Sequence, residues 1–210
     1  MNLIKAVLFD YDGVLTTDKS GSVTLCRYLS EKTTLPYERI RHAFRQHNSE
    51  PEIGPTTYAE IWPEVCRALG CDMSSDLLLG AFESTPMNAA MFQFARELKA
   101  SHSVGIVTDN KKDRIDHLKQ YQRLEAVFAP IVVSAEVGCT KTHPAIFQFA
   151  LDSLGVRPEE CIFIDNSRAN LIAPAALGVK TIYFDDEEND VNGLIRCLSE
   201  RFGVSTRGAI

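Results

Sequence analysis

Asp10 and Asp12 close a short apolar run near the start of the chain, Ile4-Lys5-Ala6-Val7-Leu8-Phe9-Asp10-Tyr11-Asp12-Gly13-Val14-Leu15. In extended backbone, residues two apart leave on the same side. Carboxylates that close repel each other, so they coexist only with a cation, a shared proton or water between them. A solvated turn at the end of a strand is the competing reading, because Asp and Gly are ordinary turn residues.

Three further stretches place polar groups where apolar runs end. Val107-Thr108-Asp109-Asn110 puts a hydroxyl ahead of backbone N–H groups at the start of a helix, a combination suited to an oxyanion or a phosphate. In Lys141-Thr142-His143-Pro144, the lysine precedes a helix opened by Pro144, where it would neutralise phosphate oxygens or hold a carboxylate pair. Ile162-Phe163-Ile164-Asp165-Asn166 ends another apolar run in two oxygen ligands. Hard oxygen donors from separate strand tips are what Mg²⁺ prefers. Thr, Asp and Asn are also common helix caps, and a lone lysine is usually a surface residue.

The elements that would position these groups can be read from periodicity. Strands are expected at 6–9, 104–107, 130–133, 161–164 and 180–184, with helices at 87–100, 112–120, 144–154, 170–177 and 191–201. Short β-branched strands alternating with helices predict a parallel sheet covered on both faces. Ligands of such a sheet bind at the C-terminal strand ends. From Thr16 to Thr85 the rhythm changes, with no convincing strand and four expected helices at 23–32, 36–46, 57–69 and 75–83. Pro36 and Ser75 suit helix starts and Gly70 a helix stop. The stretch 48–55 reads as a loop by composition. Trp62, Phe44 and Tyr58 fall at helical spacing and are expected to pack inside the helical insert. The acidic run 185–190 is expected as a solvated loop leading into the last helix.

Composition narrows the function classes. The chain has 210 residues and a formal net charge of −6, which disfavours a nucleic-acid surface or an anionic membrane. No apolar run reaches the length of a membrane span, and the first residues lack the layout of a signal peptide. The six cysteines form no C-x-x-C pair, so free thiols in a cytoplasmic protein are expected rather than a zinc site.

The order of the four stretches resembles the haloacid dehalogenase (HAD) superfamily across nearly the whole chain. Phe9–Leu15 is similar to its first motif, Val107–Asn110 to its second, Lys141–Phe147 to its third and Phe163–Asn170 to its fourth. The resemblance implies a Rossmann-like, doubly wound α/β core over 1–15 and 87–210, with a small all-helical C1 cap over 16–86. It implies a Mg²⁺-dependent phosphatase acting on a small phosphorylated metabolite through an aspartyl-phosphate. Asp10 would be the nucleophile, and Asp12 the acid that protonates the leaving alcohol and then the base that activates water. Thr108, Asp109 and Lys141 would hold the phosphoryl group, with Lys141 also balancing charge. Asp10, the Asp12 backbone carbonyl, Asp165 and Asn166 would form the Mg²⁺ site. Asn166 stands where the family usually has its direct ligand, so either Asn166 binds as a neutral oxygen donor or Asp165 reaches the ion. In the cap, His47, Glu50 and Glu52 are expected to meet the leaving group, and 16–19 and 84–88 to act as hinges. A monomer or homodimer is expected. A phosphomutase of the same fold and a non-catalytic HAD-like binding protein are the alternatives.

Overall fold

In a computed structural model, residues 3–47, 53–54 and 56–206 are described. The elements run β1 (Ala6–Phe9), α1 (Gly21–Thr33), α2 (Tyr37–His47), α3 (Tyr58–Leu69), α4 (Ser75–Glu83) and α5 (Ala89–Leu98), then β2 (Ser103–Thr108) and α6 (Lys112–Tyr121). There follow β3 (Ile131–Val133), α7 (Ser134–Val137), α8 (Pro144–Leu154), β4 (Cys161–Asp165), α9 (Ile172–Leu177), β5 (Lys180–Tyr183) and α10 (Val191–Phe202). The five strands form one parallel sheet in the order β3-β2-β1-β4-β5. The chain therefore winds outward from β1 to β3, then crosses back and continues on the other side of β1. A crevice opens at the C-terminal tips where the winding reverses.

The alternation expected of a strand covered on both faces is visible in β1. Val7 and Phe9 join the apolar layer with α5, α6 and α10, while Ala6 and Leu8 face the layer with α8. Local chemistry sets the helix ends. Thr57 accepts from the Glu60 N–H while Glu60 accepts from the Thr57 N–H, a reciprocal cap at the start of α3. Gly70 ends that helix at φ 68°, a conformation that costs glycine nothing. Asn88 caps α5, and Asp190 caps α10.

The four helices between β1 and α5 form a cap with an apolar centre of its own. Leu25, Leu29, Ile40, Phe44, Tyr58, Trp62, Val65 and Phe82 are buried there, apart from the two layers that sandwich the sheet. Phe44 meets Tyr58 and Trp62 at 6.2 Å between ring centroids, and the Trp62 indole N–H donates to the Met73 carbonyl at 3.1 Å. The aromatic spacing read from the sequence is thus core packing.

The two chain crossings between cap and sheet lie side by side. Thr17 N–H donates to the Pro86 carbonyl at 3.0 Å, Asn88 N–H to the Leu15 carbonyl at 2.9 Å, and Thr16 pairs with Met87. The cap also leans on α6. The Lys111 ammonium reaches the Thr56 carbonyl at 2.8 Å, Ala59 N–H donates to Asp113 at 3.0 Å, and His117 meets Glu83 at 3.0 Å.

Each expected boundary holds within two residues. Among the two-residue differences, α5 spans Ala89–Leu98, and the expected 170–177 helix starts at Ile172 after a tighter turn at Arg168–Leu171. The helix in the first motif's neighbourhood was also unexpected. Residues Tyr11–Leu15 coil into a wide turn closed by Thr16 N–H donating to the Tyr11 carbonyl at 3.1 Å.

Candidate active site

The apolar run of β1 stops at Phe9, and Asp10 begins the wide turn by accepting the Tyr11 N–H at 2.7 Å on Oδ1. Gly13 turns the chain at φ 82°, and a Cβ there would overlap the Asn166 amide. The turn keeps Asp12 on the same side as Asp10 although Asp12 is no longer in a strand. Both line a cavity of about 340 Å³ with Thr108, Asp109, Lys141, Asn166, Ser167 and Asn170. Lys19, Ser20 and Gly21, at the entry to α1, and Asp186, after β5, complete its wall.

Two buried cations organise the carboxylates. Lys141 lies between Asp10 and Asp165, its Nζ 2.7 Å from Asp10 Oδ1 and 2.8 Å from Asp165 Oδ2. Burial alone would depress the Lys141 pKa, but Asp10, Asp165 and Asp109 together hold it above its ordinary value. Asp10 is the strained partner. Burial pushes its carboxyl well above the usual range, Lys141 opposes this, and nearby Asp165 and Asp12 add to the rise. Asp165 is saturated by its surroundings: Ser167 N–H, the Asn170 amide and Lys141 all donate to it. Asp109 accepts the Lys141 backbone N–H at 2.9 Å and so braces the loop that carries the ammonium. Burial is also the first cause of its raised pKa.

The second cation is Arg114 on α6, 1% exposed at its side chain, and it grips Asp12 with both ends of its guanidinium. Nη1 donates to Asp12 Oδ2 at 2.8 Å and Nη2 to Oδ1 at 2.9 Å. Asn110 adds a third donor, from Nδ2 to Asp12 Oδ2 at 2.8 Å, and also donates to the Thr108 hydroxyl at 3.0 Å. Sequence reasoning did not select Arg114 or Asn110 as site residues. Arg114 sits in Lys111-Lys112-Asp113-Arg114, which reads as a solvated helix start; its spacing of four from Asn110 is the one available signal.

Of the residues expected in the site, Asp10, Asp12, Thr108, Asp109, Lys141, Asp165 and Asn166 converge. His47 lies in the last turn of α2, away from the cavity wall, and Glu50 and Glu52 lie outside the described residues. The acidic run is mostly a capping loop, with Asp185 accepting from the Glu187 and Glu188 N–H groups, yet Asp186 reaches the cavity.

The balance of charge leaves room for a cation. Arg114 is matched by Asp12 alone, while Asp10 and Asp165 share the single Lys141 ammonium and Asp109 receives only a backbone N–H; among the described residues no hydrogen bond reaches Asp10 Oδ2. No three His, Cys, Asp or Glu side chains among the described residues form a complete metal cage. Asp12 and Asn166, which line the same cavity, carry further hard oxygen donors in a main-chain carbonyl and a side-chain amide.

A parallel sheet with carboxylates and an ammonium at its strand tips, covered by an inserted helical cap, defines an α/β enzyme architecture. The family model for haloacid dehalogenase-like hydrolases matches residues 4–178, and the chain belongs to that family. It is 29% identical over 224 residues to the bifunctional epoxide hydrolase 2 of Rattus norvegicus, covering 95% of this chain and 40% of that protein. The chain thus spans about two fifths of the length of the curated relatives of that name. Among solved structures, a predicted HAD-like hydrolase from Porphyromonas gingivalis superposes with a TM-score of 0.72 at 22% identity, covering 95% of this chain and 100% of that one. A HAD family enzyme from Bacteroides thetaiotaomicron, in complex with magnesium and inorganic phosphate, superposes at 0.69 with 21% identity, covering 90% of this chain and 98% of that one.

Proposed function

We propose that this hydrolase is a Mg²⁺-dependent phosphatase of small phosphorylated metabolites, with a C1-type cap over 16–86 and a core over 1–15 and 87–210. The observation that carries the reading is Asp10. It is a buried carboxylate at a strand tip, anchored through one oxygen by Lys141 and Tyr11 N–H, with no hydrogen bond to its other oxygen among the described residues. The magnesium and phosphate bound by the Bacteroides thetaiotaomicron enzyme support the same ligand chemistry here.

In the first step the Asp10 carboxylate attacks phosphorus, a bond forms from Asp10 to phosphorus, and the bond from phosphorus to the leaving oxygen breaks. Asp12, which enters this step protonated, gives its proton to that oxygen, so an alcohol departs and the Asp12 carboxylate left behind is the form that Arg114 pairs with. In the second step Asp12 takes a proton from water, the resulting hydroxide attacks phosphorus, and the bond to Asp10 breaks. Inorganic phosphate leaves and both carboxyl groups return to their starting states. Thr108, the backbone around Asp109 and Lys141 hold the phosphoryl oxygens through both steps.

The residues fit Mg²⁺ on charge and donor type: the Asp10 carboxylate, the Asp12 carbonyl and Asn166 would hold it, with Asp165 behind them engaged by Lys141, Ser167 and Asn170. When bound, the ion supplies positive charge for the phosphoryl oxygens in an otherwise acidic pocket.

The test is hydrolysis of p-nitrophenyl phosphate with Mg²⁺ and with a chelator. Turnover that requires Mg²⁺ and falls by about 10⁴-fold or more in Asp10→Asn is expected, since the nucleophile itself is lost. Turnover undiminished in Asp10→Asn overturns the assignment.

A further inference from the structure

Arg114 stands outside the four stretches that announced the site, yet its guanidinium is among the most deeply buried charges of the molecule. Four of its five N–H donors are used: two on Asp12, one on Asn110 Oδ1 at 2.8 Å and one on the Thr85 hydroxyl at 3.3 Å. A two-pronged grip fixes both the position and the plane of a carboxylate, which a single point charge does not. The pocket that receives the guanidinium is shared between core and cap. Tyr11 lies 5.6 Å from it on the core side. On the cap side are Thr85, in the crossing that leaves the cap, and Gly21, the first residue of α1. A Cβ at Gly21 would overlap the guanidinium itself, so the close approach of α1 depends on glycine at that position.

We infer that Arg114 is a positioning residue that fixes the Asp12 carboxyl for proton transfer, and that the seating of the cap reaches Asp12 through it. The inference rests on the phosphatase reading, in which Asp12 serves the leaving oxygen. Arg114 thus joins a carboxylate of the cavity to the crossing at Thr85 and to the start of α1. If the crossing at Thr85 or the start of α1 shifts, the guanidinium loses a wall, and the plane of Asp12 is no longer fixed. Proton transfer needs its partners within hydrogen-bond reach, so displacement of Asp12 is felt in that step before it is felt in binding.

The experiment compares two esters in the Mg²⁺-loaded enzyme. Phenyl phosphate has a leaving oxygen that needs a proton; 2,4-dinitrophenyl phosphate has one that departs without it. Three variants approach Arg114 from different sides: Arg114→Met removes the grip, Arg114→Lys keeps the charge without the fork, and Gly21→Ala displaces the guanidinium from the cap side. Folding is checked by circular dichroism and thermal melting, and Arg114→Lys and Gly21→Ala carry the test if Arg114→Met does not fold.

The expected result is a fall of about 100-fold in the first-turnover rate of phenol release from phenyl phosphate in Arg114→Met, in the range a positioned general acid supplies. Arg114→Lys and Gly21→Ala should lose about 10-fold. All three should keep the first-turnover rate on the dinitrophenyl ester within about 3-fold, because attack by Asp10 there needs no proton from Asp12, whereas steady-state kcat on that ester falls with the water step that uses Asp12 as base. Equal losses of first-turnover rate on both esters, or a Gly21→Ala enzyme with an unmoved ratio of those rates, overturns the inference. Wild-type enzyme that hydrolyses neither ester overturns the phosphatase reading itself and the role of Arg114 with it.

Discussion

The two buried cations of the site solve different problems with different side chains. Lys141 is a compact charge placed between carboxylates from two strand tips, Asp10 after β1 and Asp165 at the end of β4. Arg114 is a planar fork spent on one carboxylate, and its remaining donors hold Asn110 and Thr85. An ammonium can bridge two groups that approach from different directions, whereas a guanidinium fixes the orientation of one. Their surroundings differ in the same sense. The two carboxylates that bind the Lys141 ammonium both sit at strand tips of the sheet, while Arg114 is enclosed partly by the cap. The half of the site around Asp10, the proposed nucleophile, is thereby part of the core, and the half around Asp12, the proposed proton donor, is built where core and cap meet.

Lys141→Met is the strongest way to break this contrast. It leaves Asp10 and Asp165 buried without their shared cation, and removing one partner from a buried pair costs about 3–5 kcal/mol. Urea unfolding should show that loss, and phosphatase turnover should vanish on both good and poor leaving groups. Selective loss on the poor leaving group would mean that Lys141 and Arg114 do the same work. Lys141→Arg is not expected to restore turnover, because a planar fork cannot sit between two carboxylates as an ammonium does.

The cap offers the next largest effect. Trp62 is buried among Phe44, Cys66 and Met73, and Trp62→Ala should cost about 3–5 kcal/mol of the cap's own stability. Because that apolar centre is separate from the two layers around the sheet, amide exchange should accelerate over α1–α4 and stay slow in β1, β2 and β4. Equal acceleration in the sheet would show that cap and core unfold as one unit.

The smallest effect sharpens the distinction between charges that serve a site and charges that serve the fold. At the opposite end of the sheet, Glu160 binds Lys5 at 2.8 Å and Arg157 at 3.1 Å. The hydrogen bond from Lys5, then those from the Arg157 backbone and side chain, lower its pKa to about 2 from the usual 4.5. A depressed carboxyl pKa means that the folded state favours the charged form. The stabilisation is therefore complete above pH 4.5 and is lost as pH falls through about 2. Thermal melts of wild type and Glu160→Gln should differ at pH 7, converge between pH 4.5 and 2, and coincide below. A gap that persists at the lowest pH would mean that packing rather than charge sets it.

How far each part was legible follows from the range of the interactions involved. The strand β1 and the helices α4 and α8 were read to the residue, because apolar alternation, Ser74-Ser75 and Pro144 are local signals. The wide turn after Asp10 was not, since its closing bond from Thr16 to Tyr11 is uncommon and leaves no composition mark. Thr108 and Lys141 were recognisable from their places at strand and helix ends. Arg114 was not, because its partner Asp12 lies 102 positions away and a charged residue in the first turn of a polar helix has the appearance of solvent exposure. Asp186 was similarly hidden in an acidic run in which Asp185 closes a loop and Asp190 caps a helix.

By itself the sequence determined the alternation of strands and helices, the position of the helical insert and the polar groups at the strand tips, because each depends on periodicity or on residues adjacent in the chain. The tertiary structure decided which charges meet. Parallel pairing of β1 with β2 and β4 brings Asp10, Thr108 and Asp165 to one edge, and the winding of the chain delivers Lys141 there from a loop. The packing of the cap against α6 then encloses Arg114 beside Asp12. Burial gives those pairings their strength, and burial depends on elements far apart in the chain that no local pattern encodes.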